Sequence, residues 1–237
     1  GGILSVFGSI KADGSSPPHL TTYNYSGGGP GGRILIFAGE LTGNGSITSD
    51  GGTAYYNHQY DGGGGGGGRI GIHYNSNTYL GAIRAWGGRG FGSTYGGAGT
   101  IYLYNRVANY ASLKISNNSY SGRETLGVPN DSYELDELLL NSSGSFIIAN
   151  GESIVLTSST WDIPSGTLDI SSGATFDMPN ATAVSGVGGK VYVRAGGVYG
   201  SPLLQSLSVV SFYNYDKVSL PQLVAMSSIR FENHGVY

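Results

Sequence analysis

The sequence predicts an all-β chain wound as a single-stranded parallel β-helix, and three observations point there. A glycine-rich first half repeats itself at a fixed period, a glycine-poor second half sets apolar strand centres at short regular steps, and no stretch sustains apolar residues at helical spacing. In the first half, GRILIFAGELTGNGSITSDGG (Gly32 to Gly52) aligns without a gap on GRIGIHYNSNTYLGAIRAWGG (Gly68 to Gly88) at an offset of 36 residues. Arg33 falls on Arg69, Ile34 on Ile70, Ile36 on Ile72 and Ile47 on Ile83. A partial copy precedes in GSIKADG (Gly8 to Gly14) and another follows in AGTIYLYNRVANYASLKI (Ala98 to Ile115). Such a fixed period marks a repeat architecture.

Within each copy Ile34 and Ile36, Ile70 and Ile72, and Ile101 and Leu103 alternate with residues of the opposite face, as a half-buried strand requires. A second short strand holds Ile47 or Ile83, so each copy reads as two strands plus a glycine-rich loop. Glycine in a helix interior would cost roughly 1 kcal/mol per position, which argues against a helical alternative. The tracts SGGGPGG (Ser26 to Gly32) and DGGGGGGG (Asp61 to Gly68) read either as flexible linkers or as chains without Cβ that stack and exchange backbone hydrogen bonds. Their recurrence at one repeat position favours stacking.

Of the 43 glycines, 30 lie in residues 1 to 100, and the composition changes near residue 105. The expected organisation is therefore glycine-rich repeats over 1–105 and plainer coils over 106–237, in one continuous solenoid. In the second part Ile147, Val155, Ile163, Ile170 and Met178, taken as strand centres, are separated by steps of 8, 8, 7 and 8. Three steps make one triangular turn of about 23 residues, which predicts that Ile147 returns to Ile170 and Val155 to Met178. Trp161 aligns with buried positions.

Composition bounds the function. The chain has 237 residues, 12 Lys+Arg against 15 Asp+Glu, a net charge of -3 and no Cys. That balance gives no electrostatic footprint for nucleic acid or an anionic membrane, and the absence of Cys excludes a disulfide scaffold. No apolar run reaches the roughly 18 residues of a membrane helix. No basic and apolar leader opens the sequence, so any targeting segment is expected outside this stretch.

The run GGGGGGGRIGIHYNSNTYLGAIRAWGG, then GGAGTIYLYNRVANYASLKISNN, then YELDELLLNSSGSFIIANGESIVLTSSTWDIPSGTLDISSGAT resembles glycine-rich repeat regions of large bacterial surface and secreted proteins, adhesin-like chains predicted to form parallel β-helices. The resemblance covers roughly residues 25 to 180. It implies an exported, modular parent protein, an extracellular or cell-surface location and a right-handed helix, the hand that parallel crossovers also prefer. Tyr104 stands where such regions carry Lys, and the loops here are richer in Tyr.

Candidate chemistry is sparse. Calcium-binding nonapeptide repeats need an Asp in a GGxGxD frame, which GGAGTIYLY and GGRGFGSTY lack. Asp162, Asp169 and Asp177, spaced by 7 and 8, are expected on successive faces of a coil as surface residues rather than as a catalytic cluster. Glu134, Asp136 and Glu137 read as a solvated strand start, and His19, His58, His73 and His234 show no metal-ligand spacing. No cofactor, metal or catalytic residue is expected.

Aromatic residues in or beside the loops carry the functional hint: Tyr23, Tyr25, Tyr55, Tyr56, Tyr60, Tyr74, Tyr79, Trp86, Phe91 and Tyr95. Exposed Tyr and Trp suit sugar rings and protein interfaces, or these rings cover the glycine loops. Arg33 and Arg69, at equivalent strand starts, either cap glycine-loop carbonyls or contact an anion or sugar. Sequons stand at Asn24, Asn44, Asn117, Asn130, Asn141 and Asn180.

The expected function is a non-enzymatic, extracellular structural and adhesive module of a surface or filament protein, with Tyr-rich loops presented to a glycan or protein. A polysaccharide-active lyase or hydrolase is the second reading, and an ice-binding or phage-type receptor-binding protein the third. Expected partners are a glycan or surface receptor and further copies of the chain, because its first and last strands carry no cap; nucleic acid and a membrane span are not expected.

Overall fold

The computed structural model describes residues 1–17, 26–54, 62–92, 94–127, 130–186, 188–208, 211–227 and 230–234. The chain divides into two units, Gly1–Arg123 and Glu124–Tyr237. Among the described residues the regular structure is all strand, with parallel pairing throughout both units except for one hairpin.

In the first unit successive strands pass in rotation to three parallel sheets. Ile3–Val6, Glu40–Gly43 and Ser76–Asn77 form the first sheet, and Ser9–Lys11, Ser46–Thr48 and Ala82–Arg84 the second. The third holds Arg33–Phe37, Arg69–Tyr74 and Thr100–Asn105. The repeat offset is the pairing register itself: Arg33 lies opposite Arg69, Ile34 opposite Ile70, Ile36 opposite Ile72, and Ile47 opposite Ile83. Ile34, Ile70 and Ile101 meet inside with Val6, Leu41, Ile47 and Ile72. Each such fully buried aliphatic side chain contributes roughly 1.5–3 kcal/mol.

Two details differ from the sequence expectation. Each copy carries three strands rather than two, because Glu40–Gly43 forms a strand that pattern reading passes over: only Leu41 of its four residues is apolar. The last partial copy does not continue in parallel but folds back, with Tyr110–Ser116 running antiparallel to Thr100–Asn105. Asn109 takes a φ of 50° in the intervening turn, and the Asn105 Oδ1 accepts the Val107 and Ala108 amides, the local bonding that lets Asn organise turns.

The glycine tracts are ordered, stacked chains. Bonds to the neighbouring copy come from every third residue: Gly28 and Gly31 donate to the Gly63 and Gly66 carbonyls, and Gly64 and Gly67 to Thr94 and Gly97. The following residue in each triplet bonds a second layer: Gly29 to Ser15, Gly32 to Ala12, Gly65 to Gly52 and Gly68 to Ser49. A spacing of three is the period of an extended polyproline-II-like chain, which satisfies its backbone only through such neighbours. Pro30 occupies the third, outward class of position, where a missing N–H costs nothing. Asp13 and Asp50 secure the second layer: Asp13 accepts the Asp50 amide and the Thr48 hydroxyl, while Asp50 accepts the Trp86 amide and pairs with Arg84 at 2.6 Å.

The second unit repeats the scheme with shorter connections. Its first sheet takes Thr125–Leu126, Ser145–Ile148, Thr167–Ile170, Lys190–Val193, Ser211–Asn214 and Arg230–Asn233. The second takes Ser132–Leu135, Ser153–Leu156, Thr175–Asp177, Val198–Gly200 and Lys217–Ser219, and the third Thr160–Asp162, Ala183–Ser185, Ser206–Ser208 and Ala225–Ser227. Inside, Trp161, Phe176, Tyr199 and Phe212 follow one another at ring separations of 5.3, 5.9 and 5.1 Å. The buried Trp161 indole N–H donates to the Leu138 carbonyl. The three-strand repeat agrees with expectation, but its register is one residue away at two places. Ile148, not Ile147, lies inward and opposite Ile170, while Ile147 and Val155 face outward opposite Asp169 and Asp177. In Phe146-Ile147-Ile148 all three residues are apolar, so hydrophobicity alone leaves the inward pair unmarked, and a one-residue slip exchanges the faces.

Candidate functional site

Alternation in the first sheet of the second unit sends Phe146, Leu168, Val191 and Phe212 inward, which leaves their neighbours to build one outer face. Ile147, Asp169, Tyr192, Tyr213 and Glu232 align across adjacent strands in one row. Thr167, Lys190, Ser211 and Arg230 form the row on one side of it. On the other side Arg194, Tyr215 and His234 follow the strand ends.

Aromatic stacking ties the rows together. The Tyr192 and Tyr213 rings stack at 4.6 Å and 8° between planes, and Tyr215 and His234 at 5.2 Å and 8°. The Arg194 guanidinium sits 4.7 Å over Tyr192 and 6.0 Å from Tyr215, and Arg230 lies 5.9 Å over Tyr213. Arg194 also grips Asp169 through two oxygens, Nε at 2.9 Å from each, and Arg230 pairs with Glu232 at 2.6 Å. The hydrogen bonds that Arg194 donates to Asp169 raise its pKa further, and burial first, then Tyr213, raises that of Tyr192. At neutral pH the guanidinium is therefore charged and the phenol a donor. Because each stacked ring spends a face on its neighbour, the surface meets solvent through hydroxyl edges and guanidinium N–H groups, repeated at the strand spacing of about 4.8 Å.

On this face the carboxylates do not converge. Asp169 and Glu232 are three strands apart, about 14 Å from the strand spacing, whereas paired glycosidase carboxyls stand roughly 5–9.5 Å apart. Asp162, Asp169 and Asp177 face outward from three different sheets, and Asp162 accepts the Ser185 hydroxyl. Among the described residues no group of three or more His, Asp or Glu could hold a metal ion.

In the first unit the structure pairs Arg33 with Arg69 on adjacent strands of the third sheet, both exposed. The same face carries Phe37 stacked on His73 at 4.6 Å, with Tyr104 edge-on to His73 at 5.6 Å and Tyr102 5.9 Å from it. Trp86 is half-buried beneath the Arg84 guanidinium, 4.9 Å from its ring, and Tyr95 stacks on Tyr120 at 4.7 Å. Tyr74 and Tyr79 are partly buried against the core, and burial raises the Tyr79 pKa. Phe91 is exposed. Tyr23, Tyr25, Tyr55, Tyr56, Tyr60 and the sequon Asn24 lie outside the described residues.

Of the other sequons, Asn44, Asn130 and Asn180 are exposed, Asn141 is half-buried, and Asn117 is buried at 1 % exposure. The Asn117 Nδ2 donates to the Gly96 and Tyr120 carbonyls and its Oδ1 accepts the Gly87 amide, so the folded site has no room for a glycan. The outer-face aromatics Tyr192, Tyr213, Tyr215, Phe37, His73 and Tyr102 escaped the sequence reading, which weighed aromatics beside the glycine loops. Their signal is alternation within strands, as in KVYV and SFYNY, where a ring occupies the position opposite an inward residue. No family model, curated protein or solved structure matches the chain.

Proposed function

We propose that the chain is a right-handed, single-stranded parallel β-helix serving as a non-enzymatic structural and adhesive module of an exported surface or filament protein, with glycans as its contact. The rotation of successive strands through three parallel sheets in each unit supports the helical path, and parallel crossovers are almost always right-handed. The observation that carries the function is the outer face of Asp169, Tyr192, Arg194, Tyr213 and Tyr215. Hydroxyl and guanidinium edges recur there at strand spacing, close to the advance of one pyranose along an extended polysaccharide. A glycan laid across the strands meets a similar hydrogen-bonding edge at each sugar. On this face the lyase or hydrolase reading is disfavoured, because Asp169 and Glu232 are far apart and engaged with Arg194 and Arg230.

Glycan-array screening followed by affinity electrophoresis tests this. Tyr192→Ala with Tyr213→Ala should weaken retention at least tenfold while circular dichroism stays β-rich. A wild-type chain that binds no glycan, or a double variant that binds undiminished, refutes the proposal.

A further inference from the structure

Charge is divided unevenly along the chain. Residues 1–123 hold eight Lys/Arg and four Asp/Glu, and residues 124–237 hold four and eleven. Among the described residues the acids of the first unit are committed or remote. Asp13 and Asp50 secure the glycine layer, Glu40 lies on the first sheet opposite Ile3 and Ser76, and Asp61 is outside the described residues. Arg33 and Arg69 nevertheless stand side by side on the third sheet, about 4.8 Å apart at the backbone. Among the described residues neither forms an ion pair. Like charges in register on neighbouring strands are destabilising, so the fold gains nothing from this pair.

The surroundings suit an anion. The outward class of glycine positions, Gly63 and Gly66, continues at the same spacing of three into Arg69, and at Gly66 the space outside the backbone is open. Among the described residues the Gly63 and Gly66 amides donate to no protein acceptor, and unpaired amides facing outward favour negative charge. Four positions along the same strands, on the same face, lies the ladder of Phe37, His73 and Tyr104. One sheet face thus combines a cationic row with an aromatic row.

We propose that this face is a binding site for acidic polysaccharide, with Arg33 and Arg69 taking the carboxylate or sulfate groups of successive sugars and the Phe37–His73–Tyr104 row lying along the sugar rings. This rests on the glycan-binding reading above and names the class of glycan. Guanidinium recognises both anions through paired N–H donors.

Affinity electrophoresis of the full chain against polygalacturonate, dextran sulfate and neutral dextran tests the site, with a single-stranded oligonucleotide as a further arm. Retention by polygalacturonate, by dextran sulfate or by both is expected, and which of them retains the chain identifies the anion. It should fall at least tenfold in 0.5 M salt, as screened surface charges require. Arg33→Gln with Arg69→Gln should lose at least tenfold in retention without lowering the melting temperature, because it removes a repulsion; Lys217→Gln should lose none. Equal binding to neutral dextran, tighter binding to the oligonucleotide, or undiminished binding by the double variant would overturn the acidic-polysaccharide site while leaving glycan binding intact in the first and last cases. If no polysaccharide of any kind retains the wild-type chain, the underlying glycan reading falls with it.

Discussion

Gly65 and Gly66 are neighbours in one tract and have opposite requirements. A Cβ on Gly65 would fall on the Gly29 carbonyl oxygen, whereas one on Gly66 would meet nothing. Gly65→Ala should therefore cost about 1–3 kcal/mol, the usual penalty of overpacking, or prevent folding of the first unit. Gly66→Ala should leave stability unchanged or raise it by up to about 1 kcal/mol; thermal melts of the two variants side by side measure the contrast. Tyr199 sets a different residue-scale limit. It is fully buried with its hydroxyl against the Met178 Sδ at 3.6 Å, and burial pushes its pKa far above the ordinary phenol value. The unfolded chain releases that proton near pH 10, so the contribution is complete below that pH and is lost as pH rises beyond it. Tyr199→Phe should make alkaline melting curves shallower above about pH 10, with part of the slope remaining from Tyr192, whose pKa is also raised.

At the scale of elements, stability depends on register and on bonds repeated between copies. Ile148 is buried opposite Ile170 and Ile147 is outward opposite Asp169. Ile148→Thr should destabilise by about 1–3 kcal/mol because it buries a hydroxyl, while Ile147→Thr should change the denaturation midpoint little. Equal effects would contradict the register. Asp50→Ala removes the partner of Arg84 and the acceptor of the Trp86 amide at once. Most of the expected loss, about 1–3 kcal/mol, comes from the stranded amide, since an ion pair with a part-exposed Arg84 contributes little. Asp50→Asn, which keeps an acceptor oxygen, should recover most of it in urea titrations.

Across the whole molecule, each unit has its own interior: Ile and Leu around Ile70 in the first, and the Trp161–Phe176–Tyr199–Phe212 series in the second. Stability in repeat architectures is close to a sum of nearest-neighbour terms. Ile148→Thr should therefore accelerate amide hydrogen exchange at Ile154, Phe176 and Leu168 while leaving Gly28, Gly31 and Gly64 protected. Uniform acceleration through both units would show that they unfold as one cooperative body.

The sequence by itself determined the all-β class, the triple-strand period of the second half and the pairing register of the first half, because the 36-residue offset at which the two copies align becomes the hydrogen-bonded register. It also supplied Arg33 and Arg69 as equivalent positions, and put Trp161 in the core. Only the tertiary structure decided which face of Phe146-Ile147-Ile148 turns inward, where the final copy of the first half reverses into a hairpin, and which aromatics share a surface. The physical reason is the same in each case. Periodicity within a strand specifies alternation, but choosing the buried face and the ring neighbours depends on residues brought together from about 20 positions away along the chain.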